Sequence, residues 1–251
     1  PREEAKQCPP DMAHVGPYCV DRFEAHLAVR DSSGAFVVHP PHQRPSGGER
    51  YFARSQGNVR PQAYISRVES AAACQNSGKR LCSVEEWFRA CRGSQKTIYP
   101  YGRKFERGRC NVGKAHLLSR FFGTDARQWE YAAHFNNPML SQQPGFLANT
   151  GEYQGCVNDY GLHDMVGNIQ EWVADRPDPS LAFKLPLQDG IRRSLGSGAG
   201  KGIFMGGFYS TTNEHGRGCA FLTAAHEVKY HDYSTGFRCC RDATDTRSPQ
   251  Q

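Results

Sequence analysis

Ten cysteines, at positions 8, 19, 74, 82, 91, 110, 156, 219, 239 and 240, constrain this chain more than any other feature. The set is even and holds no Cys-x-x-Cys pair, so zinc-knuckle spacing is missing and disulfides are the better reading. Disulfides place the protein in an oxidising compartment, secreted or periplasmic, because a reducing cytosol keeps such thiols open. Cys8 and Cys19, eleven residues apart around a Pro/Gly-rich loop, make the natural local bridge. The adjacent Cys239 and Cys240 leave a labile, redox-active bond open, but two structural bridges fit better and no thioredoxin-like spacing supports a redox role.

With 251 residues, 38% of them hydrophobic, 26 Gly and 15 Pro, the chain can bury a sizeable core yet should be rich in loops. We expect one domain over 1–251, with a core at about 8–242. No run of 18 apolar residues exists, so no transmembrane segment is expected, and a start at Pro1 rather than Met suits a processed or trimmed product. The net charge of +6 comes from scattered Lys and Arg without a dense basic tract, so nucleic acid is not expected as a partner.

After Cys19 an alternating stretch suits a strand. Residues 30 to 62, rich in Ser, Gly, Pro, Gln and Arg, read as a long surface excursion. Two capping-box signals follow: Ser66 with Glu69, stopped near Gly78, and Ser83 with Glu86, stopped at Gly93, which place Cys74 and Cys91 near the ends of successive helices. Beyond them lie short apolar pieces between Gly, Asn and Pro, which predict small strands and organised loops, and no internal repeat appears.

The stretch GLHDMVGNIQEW, residues 161 to 172, packs Asp164, Gly167, Asn168 and Glu171 among apolar residues just before Trp172. Two carboxylates seven residues apart, with a Gly bend and an amide between, can form an oxygen cage for a hard cation such as calcium. Taken alone, the stretch reads more simply as a polar turn before a buried strand.

GKRLCSVEEWFRACRG, YPYG, YGLHDMVGNIQEWVAD, GGFY and STGFRCCRD together resemble the formylglycine-generating enzyme family, also called sulfatase-modifying factor domains, in order and rough spacing over residues 8 to 242. The resemblance implies an irregular, disulfide-braced α+β fold, loop-rich and related to C-type lectins. It also implies bound calcium, held by the side chains of Asp164 and Glu171 and the carbonyls of Gly167 and Ile169, with Asn168 shaping the loop. A second calcium site is echoed only in Asn111 and Val112 and is not expected, because its partner segment is replaced by the unmatched stretch from His116 to Gln143. Two long bridges follow from the resemblance, Cys74 to Cys239 and Cys91 to Cys219. The remaining cysteines then pair as Cys82 with Cys240 and Cys110 with Cys156, although sequence does not fix connectivity.

The enzyme that names the family binds copper(I) through two cysteines a few residues after Gly-Gly-Ser, because soft thiolates suit that ion. Here the segment is GGFYSTTNEHGRGC: Phe208 replaces the serine, Thr211 and Gly216 stand roughly where the cysteines would be, and Cys219 matches a structural cysteine. Gln170 replaces a tryptophan that shapes the family's site. Formylglycine generation is therefore not expected.

Another chemistry could use the C-terminal set Asn213, Glu214, His215, His226, Glu227, Tyr230, His231, Asp232 and Tyr233. Two His with a carboxylate would suit iron, zinc or copper(II), so His215 with His226, or His226 and His231 with Glu214, form a candidate catalytic transition-metal group. That reading makes the chain a metal-dependent oxidative or maturation enzyme acting on a secreted small molecule or peptide. The plainer reading of these histidines is a loop-rich surface. The rival function is a non-catalytic, C-type-lectin-like module whose unmatched stretches 30–62 and 113–143 contact a protein, peptide or glycan.

Overall fold

The computed structural model of the chain describes residues 7–187, 189–196, 200–212 and 216–243. Both capping boxes form. Ser66 caps helix α1 (Arg67–Asn76) and Ser83 caps α2 (Val84–Arg92), each side chain accepting from the backbone N–H three residues on while Glu69 or Glu86 reaches back to the cap. Gly78 and Gly93 follow their C-terminal ends with positive φ, a conformation that costs glycine nothing. The buried face of α2 carries Val84, Trp87, Phe88, Ala90 and Cys91, so this helix is the centre of the larger core.

Three small sheets surround the helices. Strands β1 (Met12–Val15) and β2 (Tyr18–Asp21) form a hairpin, and β2 pairs with the C-terminal β11 (Cys239–Asp242), which in turn pairs with β6 (Arg80–Leu81). One sheet thus unites both ends of the chain. In the second, β10 (Thr235–Phe237) lies parallel to β7 (Gln170–Trp172), followed by β8 (Phe204–Met205) and β9 (Leu222–Thr223). The third sheet places β3 (Ala25–Arg30) between β4 (Phe36–Val38) and β5 (Phe52–Ser55).

This third sheet corrects one expectation. Residues 30–50 are largely exposed, as expected, but the end of the stretch is framework: β5 gives β3 its second hydrogen-bonding partner, and Ala53, with Tyr51 just before the strand, is buried in a core shared with α1 and Trp172. The base of the 113–143 stretch is anchored too: helix α3 (Leu117–Phe122) buries Leu117 and Leu118 against a cluster containing Tyr64, Leu140 and Tyr209. Short helices α4 (Leu181–Lys184) and α5 (Asp189–Gly196) add apolar cover at the larger core.

Five disulfides close the scaffold: Cys8–Cys19, Cys74–Cys239, Cys82–Cys240, Cys91–Cys219 and Cys110–Cys156. These are the pairs the sequence reading named, and the adjacent Cys239 and Cys240 bond to different partners. Each long loop, once closed, favours the folded state by roughly 4–5 kcal/mol in the chain-entropy account. Among the described residues no helix is long and apolar enough to cross a membrane.

Candidate functional site

The polar stretch before Trp172 folds as a tight loop with Asp164, Gly167 and Asn168 all at positive φ. Glycine is required at 167, where a Cβ would overlap the Asn111 carbonyl and the Val112 side chain. Asn168 is the hub of this loop. Its backbone N–H donates to Asn111 O at 2.9 Å, its Oδ1 accepts from Asn111 Nδ2 at 2.8 Å, and its Nδ2 donates to Glu24 Oε2 at 2.7 Å. Asn111 and Val112, the partial echo of a second calcium site, thus serve here as the wall against which the loop is built.

Glu171 is 1% exposed and lies in a two-pronged pair with Arg238, Nε to Oε2 and Nη2 to Oε1, both at 2.7 Å. Trp87 Nε1 donates to the same carboxylate at 2.6 Å. Asp164 lies nearby, its Oδ2 accepting from the Gly151 N–H at 2.6 Å, and its carboxyl is pushed up to about 6, chiefly by burial. The group that sequence reasoning missed is Glu24, fully buried just before β3. Burial first, then the charges of Asp164 and Glu171, hold its carboxyl well above the usual range. Its only sequence signal was a charged residue at the head of an apolar strand.

Three buried carboxylates therefore share one guanidinium. Ionised together they leave an excess of two negative charges, which a buried site relieves by taking up protons or a cation. The donor chemistry, oxygen only, fits a hard cation. Among the described residues, however, no three His, Cys, Asp or Glu side chains stand ready in a metal cage, and Glu171 already spends both oxygens on Arg238.

A second feature is a cavity of about 230 Å³ lined by Tyr99, Phe105, Val112, Val166, Thr211 and Phe221 together with several glycines, Gly216 among them. It lies where the resemblance places the copper cysteines. The Thr211 hydroxyl accepts from the Phe208 N–H at 2.7 Å and so closes a local turn. Gly216 has φ +116, and a Cβ there would come within 2.5 Å of Ala220 O. All ten cysteines are in bridges, and Cys219 is tied to Cys91. The site holds no thiolate pair, so copper(I) does not fit it.

Of the candidate transition-metal residues, Asn213, Glu214 and His215 lie outside the described residues. His226 is stacked between Phe204, at 5.5 Å, and Tyr230, at 3.9 Å, and burial lowers its imidazole to about 4. His231 lies against Tyr131, with its Nδ1 buried and without a hydrogen-bond partner among the described residues. Asp232, next in the chain, accepts from the hydroxyls of Tyr230 and Ser234. The described part of this set is an aromatic row with internal hydrogen bonds, and Glu227 is exposed.

Residues 19–243 match the sulfatase-modifying factor enzyme 1-like domain. The chain is similar to Inactive C-alpha-formylglycine-generating enzyme 2 of Bos taurus, 34% identical over 117 residues that cover 46% of this chain and 33% of that protein. It is also similar to the formylglycine-generating enzyme of Streptomyces coelicolor, 28% identical over 213 residues that cover 82% of this chain and 60% of that protein. The matches thus span about a third of the cattle relative's length and under two thirds of the bacterial one's. Among solved structures, the Major Tropism Determinant I1 variant aligns with a TM-score of 0.49 at 12% identity, covering 96% of this chain and 55% of that one. A family match over nine-tenths of the chain is decisive: the protein belongs to the family of sulfatase-modifying factor enzyme 1-like domains.

Proposed function

We propose that this protein lacks formylglycine-generating activity and is a binding module of the family, acting in an oxidising, extracytoplasmic compartment on a peptide or protein ligand. One observation carries the reading: at the place of the copper cysteines stand a threonine whose hydroxyl closes a turn and a glycine without room for a side chain. The family's copper(I) chemistry needs two thiolates, and every cysteine sulfur in this chain is committed to a bridge. A fold retained without its reactive groups is a scaffold for other work.

The cavity that remains is smaller than the ~300–1,000 Å³ of a small-molecule pocket, so it suits one apolar or aromatic side chain of a larger ligand. Its described lining is mainly apolar and aromatic, from Tyr99, Phe105, Val112, Val166 and Phe221, which suits the burial of such a side chain. The similarity of the chain to a relative named as an inactive enzyme agrees with this reading. Five disulfides support the compartment, since such bridges persist where thiols are oxidised. For the acidic cluster we propose structural calcium, with Asp164, the carbonyls of Gly167 and Ile169, and Glu171 through the Oε1 lone pair that its one bond from Arg238 leaves over as ligands, and Glu24 completing the charge; bound there, the cation would neutralise the excess buried negative charge.

The test incubates the chain with copper(I), oxygen and a cysteine peptide carrying a sulfatase motif, and reads the peptide by mass spectrometry. No aldehyde should form; turnover would defeat the proposal. A peptide library screened on wild type and on Thr212→Arg, an exposed change at the cavity rim, should give binders that the variant loses. Metal analysis should return calcium, reduced in Asp164→Asn, whereas a stoichiometric transition metal lost in His226→Ala would make the protein a metalloenzyme instead.

A further inference from the structure

The third sheet has an outer face that the cavity beside Thr211 does not use. Strand alternation and the pairings Arg30–Phe36, Ala28–Val38, Ala28–Phe52 and His26–Arg54 put Arg30, Phe36, Val38, Phe52 and Arg54 on one side, over the buried His26 and Ala28, while Ala25, Leu27 and Ala53 face the core. Phe36 and Val38 are 39% and 53% exposed. The rings of Phe36 and Phe52 meet edge to face at 5.2 Å. Guanidiniums lie over them: Arg30 and Arg54 at 4.5 and 4.8 Å from the Phe36 centroid, and Arg50 at 5.4 Å from that of Phe52.

These cations are held in place but not neutralised. Arg30 donates to the Gly34 carbonyl and Arg50 to the Asn76 side-chain oxygen, and among the described residues Arg30, Arg50, Arg54 and Arg241 form no ion pair with a carboxylate. A cavity of about 400 Å³ beside the sheet is lined by Arg30, Phe36, Phe52, Arg54, Lys79 and Arg241. The carboxylate on its wall, Asp11, is already bonded to Lys79 at 2.8 Å. Glu49, on the rim near Arg50, is the one acidic group bordering the adjacent hollow. The face is therefore a cationic, aromatic floor.

The sheet also ends in a free edge. Among the described residues strand β4 pairs with β3 alone. Hydrogen bonds from Asp31 N to Ala35 O and from His39 N to Leu27 O fix the phase of the ladder. Alternation then turns Val37 toward β3 and leaves the N–H and C=O of Phe36 and Val38 pointing outward, without a partner among the described residues. An edge with exposed apolar residues and no inward charge accepts another strand, and main-chain pairing would give affinity while side chains give selectivity.

We propose that this edge and its cationic face bind an extended acidic segment of a partner protein, added as a fourth strand on β4 with its carboxylates against Arg30, Arg54 and Arg241. Planar guanidiniums already stacked on aromatic rings lose little freedom on gripping a carboxylate in two-pronged fashion. An anionic glycan would use the cations but not the outward N–H and C=O groups, so the edge favours a peptide.

The probe is a fluorescein-labelled peptide of four Glu-Val repeats, titrated by anisotropy into the full chain. Saturable binding is expected, weakened at least tenfold in Arg30→Ala/Arg54→Ala and in 500 mM salt, and absent for the Lys-Val counterpart. Val38→Pro removes an outward N–H and leaves the β3 ladder intact, so it should abolish binding while thermal melting stays near wild type. Should that variant melt early, Val38→Glu places a like charge at the same edge and should also abolish binding. Thr212→Arg, at the other cavity, should change nothing here. No saturable binding, or binding that survives both changes at Val38, would overturn the proposal; heparin fragments that compete and are indifferent to those changes would identify the face as a glycan site instead.

Discussion

Replacing Arg238 by Met removes the single guanidinium that faces Glu171, Glu24 and Asp164. The fork to Glu171 is lost, along with bonds to the carbonyls of Asp21 at 3.1 Å and His163 at 2.8 Å. Arg238 and Glu171 are each about 1% exposed, so water cannot replace the partner. Breaking a buried pair from one side costs about 3–5 kcal/mol, because the surviving charge stays desolvated. For a domain of this size that lowers Tm by roughly 10 °C. Urea denaturation followed by tryptophan fluorescence measures it directly, since Trp87 donates to the carboxylate left behind. The paired variant Arg238→Met/Glu171→Leu removes both charges and should recover part of the loss. A single variant within about 1 kcal/mol of wild type, or a double variant no more stable than the single one, would refute the reasoning that charge burial governs this site.

Gly167→Ala should destabilise by about 2–5 kcal/mol, measured by chemical denaturation, because a positive φ and overlap with Asn111 O add together. Ser83→Ala removes the hydroxyl that accepts from Glu86 N at 3.2 Å and should cost about 1 kcal/mol in the same assay. Burial lowers His226 from 6.5 to about 4, so the fold holds its imidazole neutral; the stability this contributes is present above pH 6.5 and is lost as pH falls toward 4. Wild type should therefore lose more stability than His226→Phe between pH 7 and 5, and parallel pH profiles would contradict the neutral, stacked imidazole.

Local signals in the sequence told most where the physics was local. Ser66, Glu69, Ser83 and Glu86 satisfy helix termini within three residues, so both helices were legible from spacing. Cys8 and Cys19 were close enough in sequence to name as a bridge. Within the stretch 30–62 the strands β4 and β5 were not legible because they are only three and four residues long, set among Ser, Gly, Pro and Arg, and acquire strand character only by pairing with β3. Glu24 was invisible for a related reason: its environment is made by Asn168 and by carboxylates 140 and more residues away.

By itself, the sequence determined the cysteine count, the loss of the copper cysteines and the loop that needs Gly167, because these depend on which atoms are present and on backbone freedom. Only the tertiary structure decided that Arg238 takes both oxygens of Glu171, that Thr211 closes a turn where the family's enzyme has a copper cysteine, and that Arg30 and Arg54 lie over Phe36 with no acidic partner among the described residues. Those outcomes rest on desolvation and on contacts between distant segments, and both come into being only when the chain has folded.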